Sequence, residues 1–192
     1  MSGCEQSELP DGERKDGDGS VSVSGELKQW HKITLTLDGP FASEMDKNPN
    51  PYTDYRMTVR FVHESGSPEY EVPAYFAADG DAGETGATQG TKWRAHLSPD
   101  KTGKWNYKIN FVKGILVAVA DVPWSTGLLP YDGLEGSFEI SATDKNGRDL
   151  RGKGRLEYVG KHHLQFQGTG DFFYKVGSDS PETLLAYEDF DN

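Results

Sequence analysis

A single cysteine, Cys4, stands in a chain of 192 residues, so no internal disulfide can staple this fold. Basic residues are also short: 20 Lys and Arg against 31 Asp and Glu leave a net charge of −11. No basic cluster offsets that field, which argues against binding a nucleic acid through its phosphates. Apolar residues make up only 34% of the chain. No apolar run reaches the ~18 residues that a membrane-spanning helix needs. The five histidines, His31, His63, His96, His162 and His163, lack zinc-type spacing. His162 and His163 are adjacent and would point opposite ways on a strand. No nucleophilic Ser/His/Asp context is present, and Gly168-Thr169-Gly170 is too short for a phosphate loop and lacks its following helix. The expectation is a monomeric chain with no cofactor, no nucleic-acid partner and no membrane span.

Turn residues are plentiful, with 23 glycines and 10 prolines. That composition suits an all-β domain, and the length suffices for one good core with some chain left over. The most informative stretch runs from Thr91 to Val112. Trp93, Ala95 and Leu97 alternate with Lys92, Arg94 and His96. After Ser98–Gly103 the alternation resumes with Trp105, Tyr107, Ile109 and Phe111. Period-two alternation marks strands with one face in a core, and Pro99, Asp100 and Gly103 suit a turn. The pattern predicts a β-hairpin, with Trp93 and Trp105 filling the interior of a two-sheet sandwich.

Around it, His31–Leu37 and Tyr55–His63 alternate as strands. Asp38–Asp54 reads as a polar loop, because Pro40, Pro49 and Pro51 oppose a central strand. Tyr70–Ala77 is a strand that Pro73 confines to an edge or a bulge. Asp79–Gly90 reads as a flexible acidic loop. Ile115–Ala120 reads as a short apolar strand, Pro123–Gly136 as a loop and Ser137–Thr143 as a strand. The spacing suits a sandwich of about seven to nine antiparallel strands.

Residues 1–24 read as a disordered tether, too charged and glycine-rich to order themselves. Met1-Ser2-Gly3-Cys4 is similar to the end of a bacterial lipoprotein signal, which makes Cys4 a lipidation candidate. The apolar stretch expected before such a cysteine is missing here. The alternative is a chance cysteine in a tail. At the other end, short strands are expected at Gly154–Val159, His163–Gln167 and Asp171–Gly177. Ser180 and Pro181 then supply a helix cap and a first-turn proline, with Glu182 suited to the helix dipole. One strand and one short helix cannot bury their own faces, so residues 146–192 are expected to be linker strands and the opening of a second, truncated domain.

Three stretches carry a family likeness: Tyr75-Phe76-Ala77-Ala78-Asp79-Gly80, Trp93-Arg94-Ala95-His96-Leu97-Ser98-Pro99 and Thr102-Gly103-Lys104-Trp105-Asn106-Tyr107. They resemble the N-terminal immunoglobulin-like domain of unknown function that precedes the (β/α)8 barrel of extracellular bacterial glycoside hydrolases. Gly154-Arg155-Leu156, His163-Leu164-Gln165-Phe166 and Lys175–Asp191 are similar to the junction into that barrel. The resemblance implies an immunoglobulin-like β-sandwich over 25–145 followed by the start of a (β/α)8 barrel. It also implies a non-catalytic accessory role beside the barrel of the same polypeptide, outside the cell or on the outer-membrane surface. A whole barrel takes ~250 residues, so this chain alone is not expected to turn over substrate. The alternatives are an independent carbohydrate-binding module and an adhesion domain that binds protein.

Candidate chemistry is sparse. Glycoside hydrolysis needs two carboxylates ~5–10 Å apart in a formed cleft. Lys175, Asp179 and Glu182 are candidates for a barrel mouth in a complete protein, although a helix cap and a first-turn acid are the favoured reading of Asp179 and Glu182, and Lys175 can equally point outward. Polysaccharide contact calls for flat rings beside polar groups. Trp30, Tyr52, Trp124 and Tyr131, in or beside loops, are the candidates, although loop anchoring or inter-domain packing is the simpler reading of these rings. Asp79, Asp81 and Glu84 form a calcium candidate set without EF-hand spacing. A solvated acidic loop is the simpler reading.

Overall fold

Alternation of apolar and polar side chains decides which residues meet in the interior. The computed structural model describes residues 14–120 and 125–177. Its strands are β1 (Val21–Gly25), β2 (Ile33–Ser43), β3 (Tyr55–His63), β4 (Glu69–Pro73), β5 (Tyr75–Phe76), β6 (Gln89–Leu97), β7 (Gly103–Lys113), β8 (Thr126–Gly127) and β9 (Glu135–Ile140). A short helix, α1 (Ala82–Thr85), precedes β6. One antiparallel sheet has the order β1-β2-β6-β5. The other has β4-β3-β7-β8, with β9 also paired to β7.

In the first sheet Ile33, Leu35 and Leu37 oppose Leu97, Ala95 and Trp93. In the second, Met57, Val59 and His63 oppose Phe111, Ile109 and Trp105. All twelve side chains are buried, and their apolar members belong to one hydrophobic cluster. The two sheets therefore face each other across a single core, as in a β-sandwich. Trp93 joins the layers directly, with its ring 4.9 Å from Phe111 and 5.4 Å from Tyr55 between centroids. Each fully buried side chain of this size contributes about 1.5–3 kcal/mol.

The expected hairpin is not formed. β6 and β7 lie in different sheets, and residues 98–102 carry the chain from one layer to the other. Partners elsewhere hold this arch: Trp30 N–H donates to the Pro99 carbonyl (2.7 Å), His63 Nε2 to Thr102 O (2.9 Å) and Trp105 Nε1 to Lys101 O (2.9 Å). The five-residue connection also lacks the paired positive-φ residues that the tightest hairpins use.

Other differences have equally local causes. β2 runs on past Pro40 to Ser43, because a bulge between Asp38 and Ala42 removes the need for a proline N–H. The bulge receives Trp93, whose Nε1 donates to Pro40 O at 3.0 Å. The glycine loop before β6 contains α1, closed by Gly86 in the left-handed region at φ 67°. Ile115–Ala120 makes turns and not a strand, and Ile115 and Val119 point into solvent. The expected tether through residue 24 ends earlier, since β1 pairs with β2 and Gly17 and Gly19 donate to the carbonyls of Gly39 and Asp38.

After the sandwich, a turn of 3-10 helix at Leu150–Gly152 leads to a three-stranded sheet of β10 (Leu156–Tyr158), β11 (Leu164–Phe166) and β12 (Phe172–Phe173). β12 pairs antiparallel with β11. Neighbouring strands of a (β/α)8 barrel are parallel, so the described part of 171–177 does not have the pairing expected of a barrel strand. The helix expected from Pro181 lies outside the described residues. Arg155 ties this small sheet to the sandwich through Asp100 Oδ2 (3.0 Å) and Tyr70 Oη (2.8 Å). No helix among the described residues is long and apolar enough to cross a membrane.

Candidate functional site

The chain leaves one sheet for the other at Pro73–Ala74, between β4 and β5. β4 pairs with β3 as far as Thr58↔Pro73, and β5 pairs with β6 at Tyr75↔Arg94 and Phe76↔Trp93. Where the edge changes sheets, the sandwich opens into a cleft of about 340 Å³. Buried Tyr55, Phe76 and Trp93 form its floor, with Phe76 and Trp93 5.2 Å apart. Tyr52 and Tyr75 stand on its walls, 51% and 46% exposed. Arg56 and Thr58, outward residues of β3, complete the rim.

The Tyr52 wall is held rigidly. The buried Asp54 carboxylate accepts from Asn50 N (2.9 Å), Thr53 Oγ1 (3.0 Å) and Leu116 N (2.9 Å). Asn50 Oδ1 accepts from Tyr52 N (2.8 Å), and Ala118 N donates to Thr53 O (2.9 Å). The backbone donors of Asn50 and Leu116 hold the Asp54 carboxyl below its ordinary range. Burial of the Tyr52 ring, then the Glu44 carboxylate beside it, raises its phenol. Tyr75 Oη lies 2.9 Å from His96 Nε2, which fixes the second wall. Burial first, then Lys32 and Arg94, hold the His96 ring below its ordinary pKa. A second, more polar hollow of about 270 Å³ shares Tyr75 and Phe76 and adds Glu44, Asp81 and Arg94.

The chemistry offered is binding: flat rings over an apolar floor, with a guanidinium and hydroxyls at the rim. The Arg56 side chain has no hydrogen-bond or ion-pair partner among the described residues, whereas several other cations do. Arg60 pairs with Glu69, Lys108 with Glu135 and Lys92 with Asp38. A wider depression of about 460 Å³ on the outer face of the five-stranded sheet is lined by Arg60, Lys108 and Glu135, whose charges are thus already neutralised.

The loop rings expected from the sequence are scattered. Tyr52 lies on the cleft. Tyr131 is a core residue: its ring packs 6.4 Å from Phe111, it is 4% exposed, and its hydroxyl donates to Gly17 O at 2.8 Å. It therefore offers no platform to a sugar. Trp30, half-buried and in the left-handed region at φ 70°, packs where a Cβ on Gly154 would come within 3.3 Å of its Cε2. That position fits anchoring between the sandwich and the small sheet. Trp124, Cys4, Asp179 and Glu182 lie outside the described residues. Lys175 is exposed. Tyr75 and Arg56 were not singled out from the sequence. In the sequence Tyr75 lies within an apparent strand, and its place just after Pro73 is the available signal.

Asp79, Asp81 and Glu84 do not converge as a calcium set among the described residues. Asp79 instead accepts from Asp81 N (2.7 Å) and Thr85 Oγ1 (2.7 Å), bracing the loop around α1. Glu26, His31 and Asp144 do come together, with ligand-capable atoms within 4.8 Å of one another. Fixed cations already occupy that knot. Lys28 lies 2.5 Å from Asp144, and Lys145 and Arg151 lie 3.0 and 2.9 Å from Glu26. Hydrogen bonds from Lys28 and Lys145 bring Asp144 down to about 2. A metal ion would have to displace these lysines, so the arrangement reads as a clasp between the entry to β2 and the segment after β9.

Comparison with known proteins places the fold in context. Residues 26–112 match a family model described as a domain of unknown function, DUF5060. No curated protein sequence matches the chain. Among solved structures, one described as a "putative glycoside hydrolase" from Bacteroides vulgatus ATCC 8482 is similar at a TM-score of 0.47 and 18% identity. That alignment covers 77% of this chain and 21% of the other.

Proposed function

We propose that the sandwich is a non-catalytic accessory domain of an extracellular polysaccharide-degrading glycoside hydrolase and packs beside the catalytic barrel of the same polypeptide. In this reading the strands take an immunoglobulin-like arrangement, residues 146–192 lead into the barrel, and Cys4 is available as a lipid anchor on the cell surface. The match of 26–112 to DUF5060, together with the barrel-junction likeness of the tail, supports the assignment. The observation that carries it is the apolar surface left exposed on and beside the small sheet. Tyr158, Tyr174 and Val176 are 74%, 61% and 89% exposed, with Leu156, Leu164 and Phe172 also uncovered. Leu156, Tyr158 and Leu164 share one face of the sheet, while Phe172 lies on the other and Tyr174 and Val176 follow the last strand. So much uncovered apolar surface on and beside so small a sheet suits a segment made to be covered by a neighbouring domain.

A second reading, polysaccharide binding by the sandwich itself, is favoured by the Tyr52–Tyr75 cleft. The two readings are compatible, since a domain beside a catalytic barrel gains from holding the same polymer. Incubating the purified chain with a panel of polysaccharides tests the non-catalytic assignment. No reducing ends should appear, and steady release of reducing sugar would overturn it.

A further inference from the structure

We propose that the cleft between Tyr52 and Tyr75 binds a uronic-acid residue of an acidic polysaccharide, with Arg56 receiving the sugar carboxylate. The proposal rests on the polysaccharide-binding reading and names its ligand class. Three observations carry it.

The first is shape. A cavity of about 340 Å³ lies at the small end of the range for ligand sites, which suits one or two sugar rings entering from the side. The apolar C–H face of a pyranose needs a flat, dry partner, and Tyr55, Phe76 and Trp93 supply a closed aromatic floor. The second is preorganisation. Asp54 and Asn50 hold the backbone of the Tyr52 turn, and His96 holds the Tyr75 ring, so little backbone rearrangement and little freedom of Tyr75 remain to be lost on binding.

The third is charge. The chain carries −11 overall, and a bound acid would be repelled almost anywhere on it. Arg56 is a cation at this cleft that no described carboxylate neutralises. It sits at the rim of this cleft with no carboxylate among its lining residues, while Arg60 and Lys108 on the same sheet face are paired with Glu69 and Glu135. An unpaired guanidinium is matched in geometry to a carboxylate, which it can hold through two parallel N–H···O bonds. A neutral sugar would leave that capacity unused.

Isothermal titration of the purified chain with an oligogalacturonate, with the carboxyl-reduced neutral oligosaccharide of the same linkage and with a sulfated oligosaccharide tests the proposal. The oligogalacturonate should bind at least tenfold more tightly than its neutral counterpart, with an affinity that falls as salt rises. Arg56→Gln should remove most of that preference, and Tyr52→Ala should weaken both ligands. Both side chains are surface groups, so an unchanged thermal melt shows that each variant is folded. Amide chemical shifts should move at residues 51–58 and 73–76. Equal binding of the neutral and acidic sugars, preference for the sulfated one, or no binding at all would overturn the assignment. None of those results touches the non-catalytic reading, which stands or falls on turnover.

Discussion

Replacing Gly39 with alanine probes the junction on which both the core and the cleft floor depend. A Cβ on Gly39 would lie 2.7 Å from Trp93 Cδ1, 3.2 Å from Trp93 Nε1 and 3.4 Å from Leu37 Cδ2. Its φ lies outside the left-handed region, so backbone strain adds nothing and the effect is steric. The indole cannot yield. It is 2% exposed, donates to Pro40 O, and is boxed by Tyr55, Phe76 and Phe111. Overpacking of this kind costs about 1–3 kcal/mol. It outweighs the ~0.4–1 kcal/mol that glycine-to-alanine changes gain from a stiffer unfolded chain. For a chain of this size the melting temperature should fall by roughly 2–8 °C. Gly83→Ala is the control: it lies in α1 with open space around its Cβ position, and should be neutral or slightly stabilising. Differential scanning calorimetry of both variants reads the difference, and near-UV circular dichroism reports the displaced indole. Repeating Gly39→Ala in a Trp93→Phe background should cost about 0.5 kcal/mol less, or better, if the contact is specific. A neutral or stabilising Gly39→Ala would refute the packing described at the bulge.

Asp54→Asn should destabilise the protein by about 1.5–3 kcal/mol at neutral pH, because a backbone N–H then meets an amide in place of a carboxylate. Asp54 has a lowered carboxyl pKa in the folded state, so its contribution is complete above the ordinary value of ~3.9 and fades as pH falls through the folded value. Urea melts of wild type and variant should therefore converge in acid, and a gap that widens there would contradict the assignment. Arg155→Ala should loosen the small sheet while leaving the sandwich folded, since Asp100, 9% exposed, loses its cation. Limited proteolysis should then cut within 145–155 about tenfold faster or more, and an unchanged rate would remove Arg155 as the tether.

Much of the sandwich is legible in the sequence because alternation fixes which face a residue takes. Trp93, Trp105, Ile109 and Phe111 are read correctly as interior on that basis. Alternation does not say which strand lies alongside, and a hairpin and an arch give β6 and β7 the same pattern. Pro40 looks like a terminator because proline lacks an N–H, yet a bulge removes the need for one. Tyr131 lies in a loop but is buried, because loop position says nothing about what the ring will meet. The cleft was half visible. Tyr52 stands out beside prolines in a polar loop, whereas Arg56 matters only because no acid among the described residues pairs with it, and that is settled by the tertiary structure alone.

The most direct test of the account is prolonged incubation of the purified 192-residue chain with neutral and acidic polysaccharides, scored by reducing-end release against a buffer blank. A passive companion to a catalytic domain predicts a flat line at every enzyme concentration. Release that scales with enzyme and disappears on substituting a single carboxylate would show that the chain carries its own catalytic site.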